Sequence, residues 1–149
     1  MKRILLIAIA SLLLAGCAAV PSYNDFITHP QVLYPSPAPG KALIYFYQEN
    51  YVGGALYYIR QGDKIIGATG PQGYFFLEFE PGEQCFWAEV TDGFSDVRRY
   101  SCVKVETDKT YYMATSWESG SFYLHPAFQS VPEDIGRAAV RNLKYTTLR

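Results

Sequence analysis

The stretch that most restricts how this chain can fold is GEQCFWAEVTDGFSDVRRYSCVKV, residues 82–105. Asp92-Gly93-Phe94-Ser95 has glycine where a two-residue type II′ turn wants it. If the chain reverses there, opposed positions follow without further assumption: Glu89 faces Arg98, Trp87 faces Tyr100, and Cys85 faces Cys102. All three pairs are complementary and share one face. They fall at non-hydrogen-bonded sites, where Cα atoms approach to about 4.5 Å, within reach of a disulfide. The alternative for the two thiols is a pair of free buried cysteines. The other face carries Phe86, Ala88, Val90, Val97, Val103 and Val105 and is assigned to the core; Arg99 on that face must escape at an edge.

Similar patterning continues on both sides. KALIYFYQ (41–48) is apolar in both phases, as a strand covered on two sides would be. ALYYIR and KIIGAT flank Gln61-Gly62-Asp63, a hairpin signal. Phe75, Leu77 and Phe79 alternate with Phe76, Glu78 and Glu80, so one face is apolar and the other ends in carboxylates. TYYMATSW (110–117) is a further strand, turned at residues 118–121 into FYLH. Ser130 and Glu133 have the spacing of a capping box, and Ile135, Ala138, Ala139 and Leu143 share a helical face. The fold predicted is all-β: an antiparallel β-sandwich of seven or eight strands over residues 41–149, with a short C-terminal helix at 131–143. Thirteen tyrosines and nine phenylalanines suit such strands.

Upstream lies MKRILLIAIASLLLAGC. Lys2 and Arg3 precede an apolar run from Ile4 to Leu14, which is shorter than the ~20 residues a transmembrane helix needs. A positive start, a short apolar middle and a small-residue end make a cleaved export signal over residues 1–16. Leu14-Ala15-Gly16-Cys17 resembles the lipobox of bacterial lipoproteins. The resemblance implies cleavage before Cys17, lipidation of its thiol with palmitate-type chains, and membrane association through that lipid. Ala18, where an aspartate would favour inner-membrane retention, implies the outer membrane, facing the periplasm of a Gram-negative cell. The alternative is an ordinary secretory signal that discards Cys17. Residues 17–40, with five prolines between 21 and 39, read as a tether of up to ~70 Å, although Phe26, Ile27, Val32, Leu33 and Tyr34 are apolar enough to lie against the domain.

The order of motifs, A-L-I-Y-F-Y, a glycine hairpin, G-Y-F followed by P-G, then K-T-Y-Y and a late helix, resembles small bacterial lipoproteins of unknown function. The segment 73–86 is similar to the rhythm of transthyretin-like and carboxypeptidase-regulatory-like sandwiches. That resemblance implies a fold and no activity.

The residues hold no catalytic constellation, so no enzyme and no cofactor are expected. His29 and His125 have no cysteine or acidic partner at metal-ligand spacing, so no metal is expected. Glu78 and Glu80 read as the outward half of an amphipathic strand, and no serine sits in a nucleophile elbow. With a net charge of −1 and no basic block, nucleic acid is not an expected partner. Two features suit binding. One is aromatic density, including Trp87 and Tyr100, which serves either cross-strand packing or contact with a sugar or protein. The other is Ser119-Gly120-Ser121-Phe122-Tyr123, where Ser119, Gly120 and Tyr123 match the S-G-x-x-Y element of lipoproteins that inhibit C-type lysozyme; their Y-x-x-x-T-K-G element is missing. The reading reached is a periplasm-facing lipoprotein acting as a non-enzymatic interaction or envelope-maintenance module with an envelope protein partner. The alternative is a lysozyme-inhibitor-like or glycan-binding lipoprotein.

Overall fold

Strand β2 (Ala42–Gln48) is buried along its whole length, because both of its faces are covered. Ala42, Ile44 and Phe46 enter one core cluster; Leu43, Tyr45 and Tyr47 enter another on the opposite side. The computed structural model describes residues 26–29, 33–49, 56–91, 96–119 and 124–148. Around β2 they contain β1 (Phe26–His29), β3 (Tyr57–Gln61), β4 (Lys64–Thr69), β5 (Gly73–Phe79), β6 (Gly82–Thr91), β7 (Asp96–Val105), β8 (Thr110–Ser119), β9 (Leu124–Val131), α1 (Glu133–Val140) and β10 (Lys144–Leu148).

Ten strands form two sheets, β1-β10-β5-β2-β8-β9 and β4-β3-β6-β7. The all-β sandwich stands, but it has ten strands rather than seven or eight, and two of its pairings, β2 with β8 and β5 with β10, are parallel. The sheets meet over Phe46, Phe75 and Phe86, with Phe46 stacked on Phe75 at 4.9 Å and edge-on to Phe86 at 5.1 Å. Polar bridges span the same gap: the Tyr57 hydroxyl donates to the Ser116 carbonyl at 3.0 Å, and Thr69 and Thr115 hydroxyls meet at 3.0 Å.

Helix α1 covers the outer face of the larger sheet. It is shorter than the predicted 131–143, and Ser130 belongs to β9, opposite Met113, so no side chain caps the helix. Its buried positions are Gly136, Ala139 and Val140, with Leu143 just beyond it; Ala138 is exposed and Ile135 is 55% exposed. The buried face is therefore rotated from the one expected. Gly136 is the reason: without a side chain, its turn of the helix can lie directly on Tyr112.

Part of the segment read as a tether is built into the domain. Phe26–His29 pairs antiparallel with β10, and His29 Nε2 lies 2.9 Å from Thr147 Oγ1. An edge strand such as β10 leaves backbone groups unpaired, and β1 supplies their partners. Further on, the Tyr74 hydroxyl accepts from Leu33 N–H at 3.3 Å and donates to its carbonyl at 3.1 Å. Glu78 Oε1 accepts from Ala38 N–H at 2.8 Å, and Glu80 pairs with Lys41. The two carboxylates thus hold the incoming chain. Residues 1–16 and Cys17 lie outside the described residues.

Candidate functional site

The hairpin β6–β7 has the register read from its sequence: Cys85 opposite Cys102, Trp87 opposite Tyr100, and Glu89 opposite Arg98. The cysteines form a disulfide with Cα atoms 4.1 Å apart. Phe86, Ala88 and Val105 turn inward and are buried, which leaves the disulfide, Trp87 and Tyr100 on the outer face of the smaller sheet. Arg99 is exposed on β7, the outermost strand of that sheet.

Trp87 and Tyr100 are 38% and 54% exposed, their ring centroids 4.6 Å apart and tilted by 46°. The rings pack on one another beside the disulfide and still offer ring surface to solvent. Beside them Glu89, only 9% exposed, takes an ion pair from Arg60 (Nε to Oε2, 2.5 Å) and a longer one from Arg98 (Nη2 to Oε1, 3.5 Å). The guanidinium of Arg60 also donates to the Asp63 carbonyl at 3.0 Å. Arg60 is therefore fixed next to the rings, while the mostly exposed Arg98 is drawn to the same carboxylate by its longer contact. Together with Gly62 and Asp63 they border a shallow cleft of about 360 Å³ against Trp87.

Sequence reasoning missed Arg60. It stands opposite Trp87 only because β3 pairs with β6, and no local signal specifies that pairing. The surface has aromatic faces, fixed hydrogen-bond donors and one neutralised carboxylate. Such a surface can bind a partner or a ring.

Of the second candidate group, Ser119 alone lies among the described residues. Ser119 ends β8 in the other sheet, opposite Leu124, while Gly120 and Tyr123 lie outside the described residues. His125 stands opposite Glu118 in β9. Among the described residues no group of His, Cys, Asp and Glu side chains could hold a metal ion, and no helix is long and apolar enough to cross a membrane.

The class defined by these observations is a disulfide-bearing, two-sheet β-sandwich with an exposed aromatic and arginine face. The chain is similar to an uncharacterized protein of Haemophilus influenzae, 29% identical over 136 residues, which cover 89% of this chain and 77% of that one. No family model matches the chain, and no solved structure matches it.

Proposed function

We propose that this protein is a non-enzymatic, lipid-anchored interaction module of the Gram-negative envelope. It belongs with the small outer-membrane lipoproteins of transthyretin-like architecture that its motifs resemble. Cys17 carries the anchor, the domain faces the periplasm, and the Trp87 and Tyr100 face meets an envelope protein. The observation that carries the docking surface is the pair of exposed rings held beside two guanidinium groups. Tryptophan, tyrosine and arginine are the residues most enriched among the hot spots of protein interfaces. The anchor rests on the lipobox-like residues 14–17.

With β1 starting at Phe26, the chain back to Cys17 spans at most about 30 Å when fully extended. This is less than half the reach expected of a free tether. A partner is therefore a protein in or close to the same membrane.

Crosslinking in intact envelopes tests the reading. The full-length protein should yield one dominant adduct, which Trp87→Ala should abolish while thermal stability holds, and Cys17→Ala should release the protein from the membrane fraction. A Trp87→Ala protein with an unchanged adduct would remove the face from the account. A Cys17→Ala protein still sedimenting with outer membrane would remove the anchor.

The cleft beside Trp87 supports a second reading, glycan binding, because a sugar ring stacks on indole while Arg60 and Arg98 donate to its hydroxyls. Quenching of tryptophan fluorescence by soluble peptidoglycan fragments, absent in Trp87→Ala, would favour it over a protein partner. Lysozyme inhibition, drawn from Ser119, Gly120 and Tyr123, requires the full-length protein at micromolar concentration to slow the enzyme; no slowing dismisses it.

A further inference from the structure

A second cleft, of about 220 Å³, lies on the opposite side of the sandwich, over the outer face of the larger sheet. Tyr45 and Tyr112, stacked at 5.2 Å and 13° on adjacent strands, form its floor. Residues 34–37 form one wall, and the end of α1, with Arg137 and Arg141, forms the other.

The hydroxyls are not equivalent. Tyr34 donates to the Val140 carbonyl at 3.4 Å and Tyr45 to the Pro35 carbonyl at 3.5 Å, so both serve to hold the walls together. Tyr112 instead lines the cleft beside the Arg137 guanidinium, whose charge favours the ionised phenol against the effect of burial. A phenol lining the cleft together with Arg141 can donate its proton to an anion held there. Burial raises the Tyr112 phenol above its ordinary value, so it remains a donor at neutral pH. Arg137 is paired with Glu133 outside the cleft, and no carboxylate is among the lining residues. The interior is thus cationic and rich in donors, with tyrosine and proline surfaces flanking it.

The negative end of a helix lies nearby and would weaken an anion by about two- to fivefold. Two of its carbonyls are already engaged, Ala139 by the Arg141 and Asn142 N–H groups and Val140 by Tyr34 and Leu143 N–H. One charge-assisted bond from an arginine outweighs that, at about tenfold or more.

We propose that this cleft binds an oxyanion carried on a compact ring, a uronic acid or a sugar phosphate, with Arg141 and the Tyr112 hydroxyl holding the anionic group and Tyr34, Pro35 and Pro37 flanking the ring. The site is independent of the Trp87 face, so either can fail alone.

Calorimetric titration of the full-length protein in detergent tests this with glucuronate, glucose 6-phosphate and glucose as probes, and with acetate and inorganic phosphate as ring-free controls. Glucuronate, glucose 6-phosphate or both should bind saturably in the millimolar range or tighter, the stronger one identifying the anion; glucose should not bind. Arg141→Gln should weaken the stronger probe by about tenfold. Tyr112→Phe should weaken it severalfold, with the melting curves of both variants superimposing on wild type. Failure of both anions to saturate at tens of millimolar overturns the proposal. So does equal binding of glucose, or undiminished affinity in Arg141→Gln, and acetate and inorganic phosphate binding as tightly as the sugars would remove the ring from it.

Discussion

Gly136→Ala sets two effects of opposite sign against each other. In an isolated helix the change stabilises by about 1 kcal/mol, since glycine gives up the most backbone freedom. Here a Cβ at position 136 would lie 2.2 Å from Tyr112 Cγ and 2.3 Å from Tyr112 Cβ. Carbon atoms prefer a separation of about 3.5–4.0 Å, so helix and strand would have to part by more than about 1 Å. No rotamer change relieves the clash, because Cβ is fixed by the backbone of β8, an interior strand of the larger sheet. Raising α1 withdraws Ala139, Val140 and Leu143 from Leu43, Tyr45, Tyr47 and Tyr74. A gap of that size forfeits about a quarter to a half of the contact energy of those side chains. Burial of the three is worth roughly 5 kcal/mol, so the loss is about 2 kcal/mol, and overpacking strain of 1–3 kcal/mol comes on top. After the propensity gain is subtracted, the variant should be less stable by about 2–4 kcal/mol, with its melting temperature lower by about 6–13 °C. Urea unfolding of the full-length protein, followed by tryptophan fluorescence, measures this. Ala138→Gly, at an exposed position of the same helix, calibrates the propensity term and should cost about 1 kcal/mol. A Gly136→Ala protein as stable as wild type, or more so, would refute the packing argument.

The Cys85–Cys102 bridge closes a loop of sequence separation 17, so replacing both cysteines with serine should cost roughly 3 kcal/mol in urea unfolding. A loss below about 1 kcal/mol would mean that the hairpin is already held in the unfolded chain. The buried phenols predict alkaline sensitivity: burial, followed by the Glu49 carboxylate, pushes Tyr47 up to about 12, and burial raises Tyr45 and Tyr57 as well. Below the ordinary value of 10.0 their contribution to stability is complete; it is lost as pH rises through about 12, because the unfolded chain releases phenol protons that the folded chain keeps. Tyrosinate absorbance should therefore show a late step coincident with loss of near-ultraviolet dichroism. Titration of all thirteen tyrosines near pH 10 with the fold intact would contradict this.

Much of the fold was legible wherever information is local. The register of β6 with β7 followed from the turn read at residues 92–95, which lie outside the described residues, and from strict alternation, and so Cys85, Trp87 and Glu89 were assigned their partners correctly. The Gly62 hairpin, the double burial of β2 and the inward set Phe75, Leu77 and Phe79 were readable for the same reason. A two-residue turn leaves adjacent strands one way to pair, and a period of two leaves one way to face the core.

Tertiary structure alone decided the rest. KYTTL is too polar and short to announce a strand, and it becomes β10 because β5 presents an open edge beside it. Phe26–His29 becomes β1 by the same logic one strand further out. The buried side of α1 was set by the closest approach available, at Gly136 over Tyr112, and this overrode the apolar stripe that includes Ile135. Arg60 reached Trp87, and Arg141 reached Tyr112, across pairings between strands and helix far apart in sequence. Such pairings are chosen by which faces and edges the rest of the chain leaves uncovered, a property of the whole assembly that no short window of residues contains.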